Sequence, residues 1–329
     1  MNDISKIETS NVPPMSSDTT LAGPRRIEIE RVSGQPLSVF HERYLNAAQP
    51  VIFTGAMSDW EAVTTWTPDY FKDHYGDVQV RVTADLPDTA VPSDYFWEEH
   101  IRRMNVSDFV DLMKSAERPC MIDSRSLEFF PGTMQQVHFE KFLPKLEGNE
   151  MTMTWIGSKG THSGLHFDRF DNLFGQVYGE KVVCLLAPDQ SRYLYQFADL
   201  CQKSNVDPEA PDLDKYPDFA KATVMQAVLR PGDVLFIPKV WWHSLRSTSS
   251  SISSNFWFGK DAGLSELLPL AKAGGARVMG RMARDFVWHG LLGRRFERRL
   301  LSEEPNGVWL YQIVRDAVGR RLGRSASGE

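Results

Sequence analysis

The sequence has few residues that could staple it or anchor it. Among 329 residues only three are cysteine, Cys120, Cys184 and Cys201, widely spaced and without a CxxC pair. That excludes a disulfide scaffold and a thiolate zinc site, and it suits a reducing, cytoplasmic setting. No stretch approaches the roughly 18 uncharged apolar residues that a spanning helix needs, so no transmembrane segment is expected. The first residues, Met1 to Pro24, are rich in Ser, Thr, Asn and Pro and lack an apolar core or an early basic cluster. This excludes a signal-peptide reading and predicts a disordered leader over residues 1–24. No internal repeat at solenoid or propeller periods is present.

Charge of one sign is scarce overall but unevenly placed. The net charge is −6, yet residues 262–329 hold twelve Lys/Arg against seven Asp/Glu, or +5, leaving −11 on the preceding residues. An acidic body of this kind makes broad nucleic-acid binding unexpected.

From Ile27 to about Arg118 the pattern mixes helices with short strands. Ser38, Thr67 and Ser107 each stand as cap-like residues before a helical pattern, and Thr67 is followed by Pro68. PVIFTG is a short apolar run, and Val78, Val80 and Val82 alternate with polar residues as a half-buried strand does. From about Pro119 to Gly259 the rhythm changes to short strands: CMID, MTMTWIG, GLHFD, LFGQVY, KVVCLLAP, MQAVL, DVLFIP, HSLRST and SISSNFWF. Strands this dense predict an all-β barrel or sandwich. The Asp/Pro-rich stretch from Tyr195 to Ala222 reads as an inserted loop of the kind that shapes a site mouth. After Gly259 the periodicity is helical. Met279, Met282, Phe286, Val287, Leu291, Phe296, Leu300 and Leu301 recur at spacings of three to five. Leu310, Val314, Ala317 and Val318 resume the pattern after Pro305-Asn306-Gly307. The chain therefore divides into the leader, a mainly β domain with flanking helices over 25–260 (its β core about 119–259), and a basic helical region over 261–329.

The chemistry lies in Ser163-Gly164-Leu165-His166-Phe167-Asp168. Residues two apart on a strand share a face, so His166 and Asp168 present an imidazole and a carboxylate together while Leu165 and Phe167 face away. His243, after the turn and strand RPGDVLFIP, could join them through the folding of a closed β-structure. Two His and one Asp on one side of an ion leave positions open for non-haem Fe(II) oxygen chemistry. Lys181 begins KVVCLLA and shares a face with Val183 and Leu185, and an inward lysine is costly unless an anion meets it. Each part alone has a plainer reading: a hydrogen-bonded His/Asp pair, a solvated edge lysine, and core aromatics at Trp241-Trp242. Their joint order within one β-rich segment favours the metal reading. The remaining histidines, His41, His74, His100, His138, His162 and His289, lack paired spacing and read as structural or surface residues.

With WIGSKGTHSGLHFDRFDNLFGQVYGEKVVCLLAPDQ, LRPGDVLFIPKVWWHS and SSNFWF, preceded by PVIFTGAMSDW and WTPDYFKDHYG, the sequence resembles the Jumonji-C oxygenases over about Ile27 to Lys260. The likeness is narrower still to the cupin-like subgroup that contains the asparaginyl hydroxylase inhibiting hypoxia-inducible factor. The resemblance implies a double-stranded β-helix (cupin/jelly-roll) core and Fe(II) bound by His166, Asp168 and His243. It implies 2-oxoglutarate on the iron with its far carboxylate on Lys181, Ser163 assisting, and Asn172 and Asn255 lining the pocket. It also implies that O2 and 2-oxoglutarate yield succinate, CO2 and an alcohol on a carbon of a protein or peptide side chain. A small-molecule substrate is the alternative, and C-terminal helices that form a homodimer belong to the same expectation. One departure stands out: CMIDSRSLEFF offers no Tyr where the family often uses one for the carboxylate. Two other classes keep the same ligands, a Zn or Mn cupin without 2-oxoglutarate and a non-catalytic binding module.

Overall fold

The computed structural model describes residues 23–34, 37–87, 97–143, 150–296 and 304–321. Nearly all of the expected leader lies outside them, as do Leu300 and Leu301. The chain enters through β1 (Arg25–Glu28) and β2 (Arg31–Val32), then a helix α1 (Leu37–Val39) that continues as a wider turn through Phe40–Leu45. β3 (Val51–Phe53), α2 (Glu61–Thr65), α3 (Pro68–Tyr75), β4 (Gln79–Thr83), β5 (Ile101–Asn105) and α4 (Val106–Ser115) complete the mixed N-terminal part.

The cap-like residues behave differently from one another. Thr67 caps α3, accepting from the Tyr70 backbone N–H at 3.0 Å, with Pro68 in the first turn where its missing N–H costs nothing. Ser38 and Ser107 cap nothing: α1 begins at Leu37, and α4 begins at Val106 after Asn105. At α4 the hydrophobic pattern starts the helix a residue earlier than the polar cue suggests. The Val106 side chain is fully buried, so packing sets the boundary.

All nine segments read as strands between 119 and 259 are strands. They are β6 (Met121–Ser126), β7 (Met151–Gly157), β8 (His166–Phe167), β9 (Asp171–Tyr178), β10 (Lys181–Leu186), β11 (Thr223–Leu229), β12 (Val234–Ile237), β13 (Trp242–Ser247) and β14 (Ser251–Phe258). They form a five-stranded sheet in the order β1-β11-β10-β13-β8 and a nine-stranded sheet in the order β2-β3-β12-β9-β14-β7-β6-β4-β5. Antiparallel neighbours far apart in sequence, with helices on the flanks, make this a jelly-roll core.

Three apolar layers hold the arrangement. Between the sheets, Val183, Leu185 and Leu245 from one meet Phe174, Leu235 and Ile237 from the other. Outside the larger sheet, Phe40, Trp60, Trp66, Phe71 and Phe109 pack the N-terminal helices onto it. Outside the smaller sheet, Leu165, Phe167, Leu186 and Trp242 pack against Phe219 of the insertion and Leu267 of the C-terminal helices. The Phe167 and Trp242 rings meet edge-on, with centroids 4.9 Å apart. This contact pins the two-residue strand β8 to β13 from outside, and strand alternation then turns His166 and His243 inward.

The C-terminal region is helical as expected: α5 (Leu264–Ala273), α6 (Gly275–Asp285) with a wider turn Phe286–Leu291, and α7 (Asn306–Arg321). The helical run stops before Phe296, because Gly293 takes φ +62° and breaks it. Two arginines of α6 are paired, Arg281 with Asp199 and Arg284 with the buried Asp285.

Candidate metal centre

β8 and β13 run antiparallel with His166 directly opposite His243. Their ring centroids lie 4.2 Å apart. Asp168, just past the end of β8, places Oδ1 3.9 Å from His166 Nε2 and Oδ2 3.6 Å from His243 Nε2. One ligand atom from each residue falls within 4.8 Å of the others, close enough to converge on one ion.

The protonation pattern suits a metal. The Nδ1 of His166 lies 3.0 Å from the Gly164 carbonyl and that of His243 lies 3.0 Å from the Trp241 carbonyl. A carbonyl only accepts, so each Nδ1–H donates, which leaves Nε2 as the ring nitrogen facing the site. Burial, followed by repulsion from His243 and Lys203, holds His166 well below the usual histidine range despite Asp168. Burial works to raise the Asp168 carboxyl. The charges of His243 and His166, the Trp257 indole N–H donating at 2.8 Å, and Lys203 outweigh it and hold the group below the usual range. Two imidazoles, that of His166 held below its usual range, beside an ionised carboxylate are the donor set of a facial-triad iron site.

Lys181 lies on the same interior face, four residues along: Leu185 is opposite His243 and Lys181 is opposite Ser247. That separation is about 13 Å along the strand, and the lysine side chain can shorten it. The Lys181 ammonium donates to Ser247 Oγ at 2.9 Å, and burial alone pushes its pKa down to about 8. Thr161 Oγ1 lies 2.9 Å from the same Ser247 hydroxyl. Among the described residues no carboxylate stands against this ammonium.

The other expected pocket residues are arranged as follows. Ser163 accepts from the Leu245 backbone N–H at 3.2 Å, and the hydroxyl that Lys181 contacts is that of Ser247. Asn172 and Asn255 adjoin: Asn255 Nδ2 donates to Asn172 Oδ1 at 3.5 Å, while Asn255 Oδ1 accepts from the Trp155 indole at 2.9 Å. Ser253, two residues before Asn255 on β14, buries a hydroxyl with no partner among the described residues. A part-buried cation whose side-chain partner among the described residues is a hydroxyl fits a polar anionic ligand.

Sequence reasoning missed Ser247, Trp257, Thr161, Trp155 and Lys203. Ser247 and Trp257 carried a signal, since each sits at an even spacing from a chosen residue, Ser247 from His243 and Trp257 from Asn255. Lys203 carried none: it faces His166 across an isolated antiparallel bridge, because residues 202–204 of the insertion pair along the open edge of β8.

A family model described as "Cupin-like domain" matches residues 36–263. "Lysine-specific demethylase 8" of Danio rerio is 32% identical over 243 residues, covering 70% of this chain and 58% of the relative. "Bifunctional peptidase and (3S)-lysyl hydroxylase JMJD7" of Homo sapiens is 26% identical over 257 residues, covering 67% of this chain and 80% of the relative. "tRNA wybutosine-synthesizing protein 5" of Mus musculus is 28% identical over 253 residues, covering 71% and 78%. The chain spans 58%, 56% and 55% of the length of three demethylase-named relatives.

Proposed function

The chain belongs to the cupin-like domain family, and from that premise we propose that it is an Fe(II)- and 2-oxoglutarate-dependent oxygenase hydroxylating a C–H bond of a protein or peptide side chain. His166 and His243 hold the iron through Nε2 and Asp168 through its carboxylate. Lys181, with Ser247, holds the far carboxylate of 2-oxoglutarate. Ser163, Asn172 and Asn255 line the pocket. When bound, iron supplies the oxidising chemistry by which O2 and 2-oxoglutarate convert a C–H bond to an alcohol, with succinate and CO2 as co-products. The protein's own part is to orient both imidazoles through the Gly164 and Trp241 carbonyls, to orient the carboxylate through Trp257, and to offer a charge for the co-substrate.

Lys181 carries the reading: it is a part-buried ammonium with no anion beside it among the described residues, on the face that bears the His166, Asp168 and His243 set. A Zn or Mn cupin or a binding module has no use for it. Two relatives named for lysine chemistry make a lysyl side chain the first substrate to try, with the asparaginyl class of the resembling subgroup next and small metabolites after it. The acidic body, −11 over residues 1–261, favours these over a nucleic acid despite the tRNA-directed relative. We also propose that the oxygenase domain covers 25–260, that helices of 261–329 pair two chains, and that the protein works in the cytoplasm. All three cysteines are free and buried, and no described helix is long and apolar enough to cross a membrane.

The test is anaerobic addition of Fe(II) and 2-oxoglutarate to the full chain. A weak visible charge-transfer band is expected, lost in His166→Ala. In Lys181→Met metal binding persists but far more 2-oxoglutarate is needed. A folded protein that gives no band sends the assignment to the zinc, manganese or binding-module readings. Succinate release against peptides and metabolites then ranks the substrates, with His166→Ala as the blank.

A further inference from the structure

We propose that Arg169 and Trp309 are positioning residues for the metal centre: helix α7 holds the Arg169 side chain in place, and Arg169 fixes the turn that presents Asp168. The inference rests on the metal reading above.

The need arises from β8. A strand of two residues cannot by itself hold the ligand that follows it, and metal affinity depends on how firmly each ligand is oriented. Asp168 lies past the end of the strand, so no strand pairing of β8 holds it. The Val240 N–H donates to its carbonyl at 2.8 Å. Within the barrel the Trp257 indole N–H donates to its Oδ2 at 2.8 Å, and further ties on the turn lead to the first residues after the barrel. The Ala262 N–H donates to the Arg169 carbonyl at 2.8 Å. The Arg169 guanidinium grips Asp261 with two nitrogens, Nε at 2.7 Å from Oδ1 and Nη2 on Oδ2. At the far end of the turn, Asp171 Oδ1 accepts from the Lys239 N–H at 2.9 Å, and Lys239 Nζ pairs with Glu266 at 2.8 Å. Glu266 in turn accepts from the Gly263 N–H at 2.8 Å. Residues 168–171 are thus fastened at both ends to residues 261–266.

A half-exposed Arg–Asp pair is weak when water can reach it. Trp309 of α7 changes that, because its ring lies 5.0 Å from the Arg169 guanidinium carbon. The ring shields one face of the cation and adds a cation–π attraction. Trp309 also packs on the cluster of Leu165, Phe167 and Trp242 that anchors β8 from outside. α7 is itself held closely. A Cβ at Gly307 would collide with the backbone of Met282 and Phe286, so α7 meets the α6 end at backbone contact, and the Asn306 N–H donates to the Asp199 carbonyl at 3.3 Å. A helix some 140 residues away in sequence therefore shares both the outer anchor of β8 and the side chain next to a metal ligand.

The probe is Mn(II), which competes for such sites and is visible by electron paramagnetic resonance, titrated into the full chain. Trp309→Ala and Arg169→Ala should each weaken Mn(II) binding about tenfold or more, in the range seen for groups that orient metal ligands, and broaden the bound spectrum. Trp309→Phe should restore most of the affinity, and the double alanine variant should bind no more weakly than the worse single one. Asp261→Asn, at a more exposed site, serves where Trp309→Ala fails to fold, and it should also weaken binding. Wild-type affinity and line shape in Asp261→Asn and Trp309→Ala, or strictly additive losses, overturn the positioning role and leave the metal reading standing. Equal Mn(II) binding by wild type and His166→Ala instead overturns the metal reading, and the positioning role with it.

Discussion

Lys181 keeps its charge inside the barrel at a cost. Its pKa falls to about 8 through burial, against 10.5 for the free side chain. Between those values the unfolded chain binds more protons than the folded one, so the stability of the unliganded protein rises as pH climbs from about 8 towards 10.5. Lys181→Met should remove that slope from urea melts taken at a series of pH values. The same titration acts on the co-substrate in the opposite sense. Above about pH 8 the unliganded site loses the charge that attracts a carboxylate, so 2-oxoglutarate affinity should fall as pH rises through that value. Lys181→Arg, which stays charged, should bind with little pH dependence. Calorimetric titrations from pH 7 to 9.5 decide this, and a flat wild-type profile would remove Lys181 from the carboxylate seat. The lysine was legible in the sequence because strand alternation alone sets its face. Ser247, its hydrogen-bond partner, lay at an even spacing from His243 and could have been named. Lys203 could not, since the bridge that brings it to His166 joins two segments with no shared periodicity.

At the scale of elements, local cues gave strands more reliably than helix starts. Strands β6–β14 all fall on segments read from alternation and turn residues, because burial on one or both faces of a sheet imposes those patterns directly. Helix starts depend on whether a polar residue reaches a backbone N–H, and that is settled by a single turn of geometry. Thr67 reaches Tyr70 at 3.0 Å, whereas Ser107 lies inside the first turn of α4 with its N–H on the Gly76 carbonyl at 3.0 Å. Thr67→Ala should therefore cost about 1 kcal/mol, the usual value of a lost N-cap. Ser107→Ala should change stability by less than about 0.5 kcal/mol, as surface substitutions without a special role do. Urea unfolding of the two variants side by side checks the distinction, and equal losses would restore Ser107 as a cap.

For the whole molecule, the composition already separated an acidic body from a basic tail, and the boundary after β14 followed from the change of period. Composition could not show that the tail faces two ways. Inwardly, α7 meets Arg169 through Trp309. Outwardly, the C-terminal helices leave Val287, Trp288, Leu291, Leu292 and Val318 between 43% and 60% exposed. Apolar side chains crowded on one appended unit, with Arg294 stacked on Trp288, are a costly surface for an isolated chain. A second copy covers such a face without new sequence, which is why pairing is the preferred destination. Sedimentation of the full chain at micromolar concentration should give a dimer, and Leu291→Glu combined with Val318→Glu should give monomers. Because neither residue touches Arg169 or Trp309 in the contacts described above, the monomeric variant should keep wild-type Mn(II) affinity. A wild-type chain that sediments as a monomer would remove self-association while leaving the inward role of α7 untouched. A dissociated variant that also lost metal would instead make pairing, and not α7 alone, the source of order at Asp168.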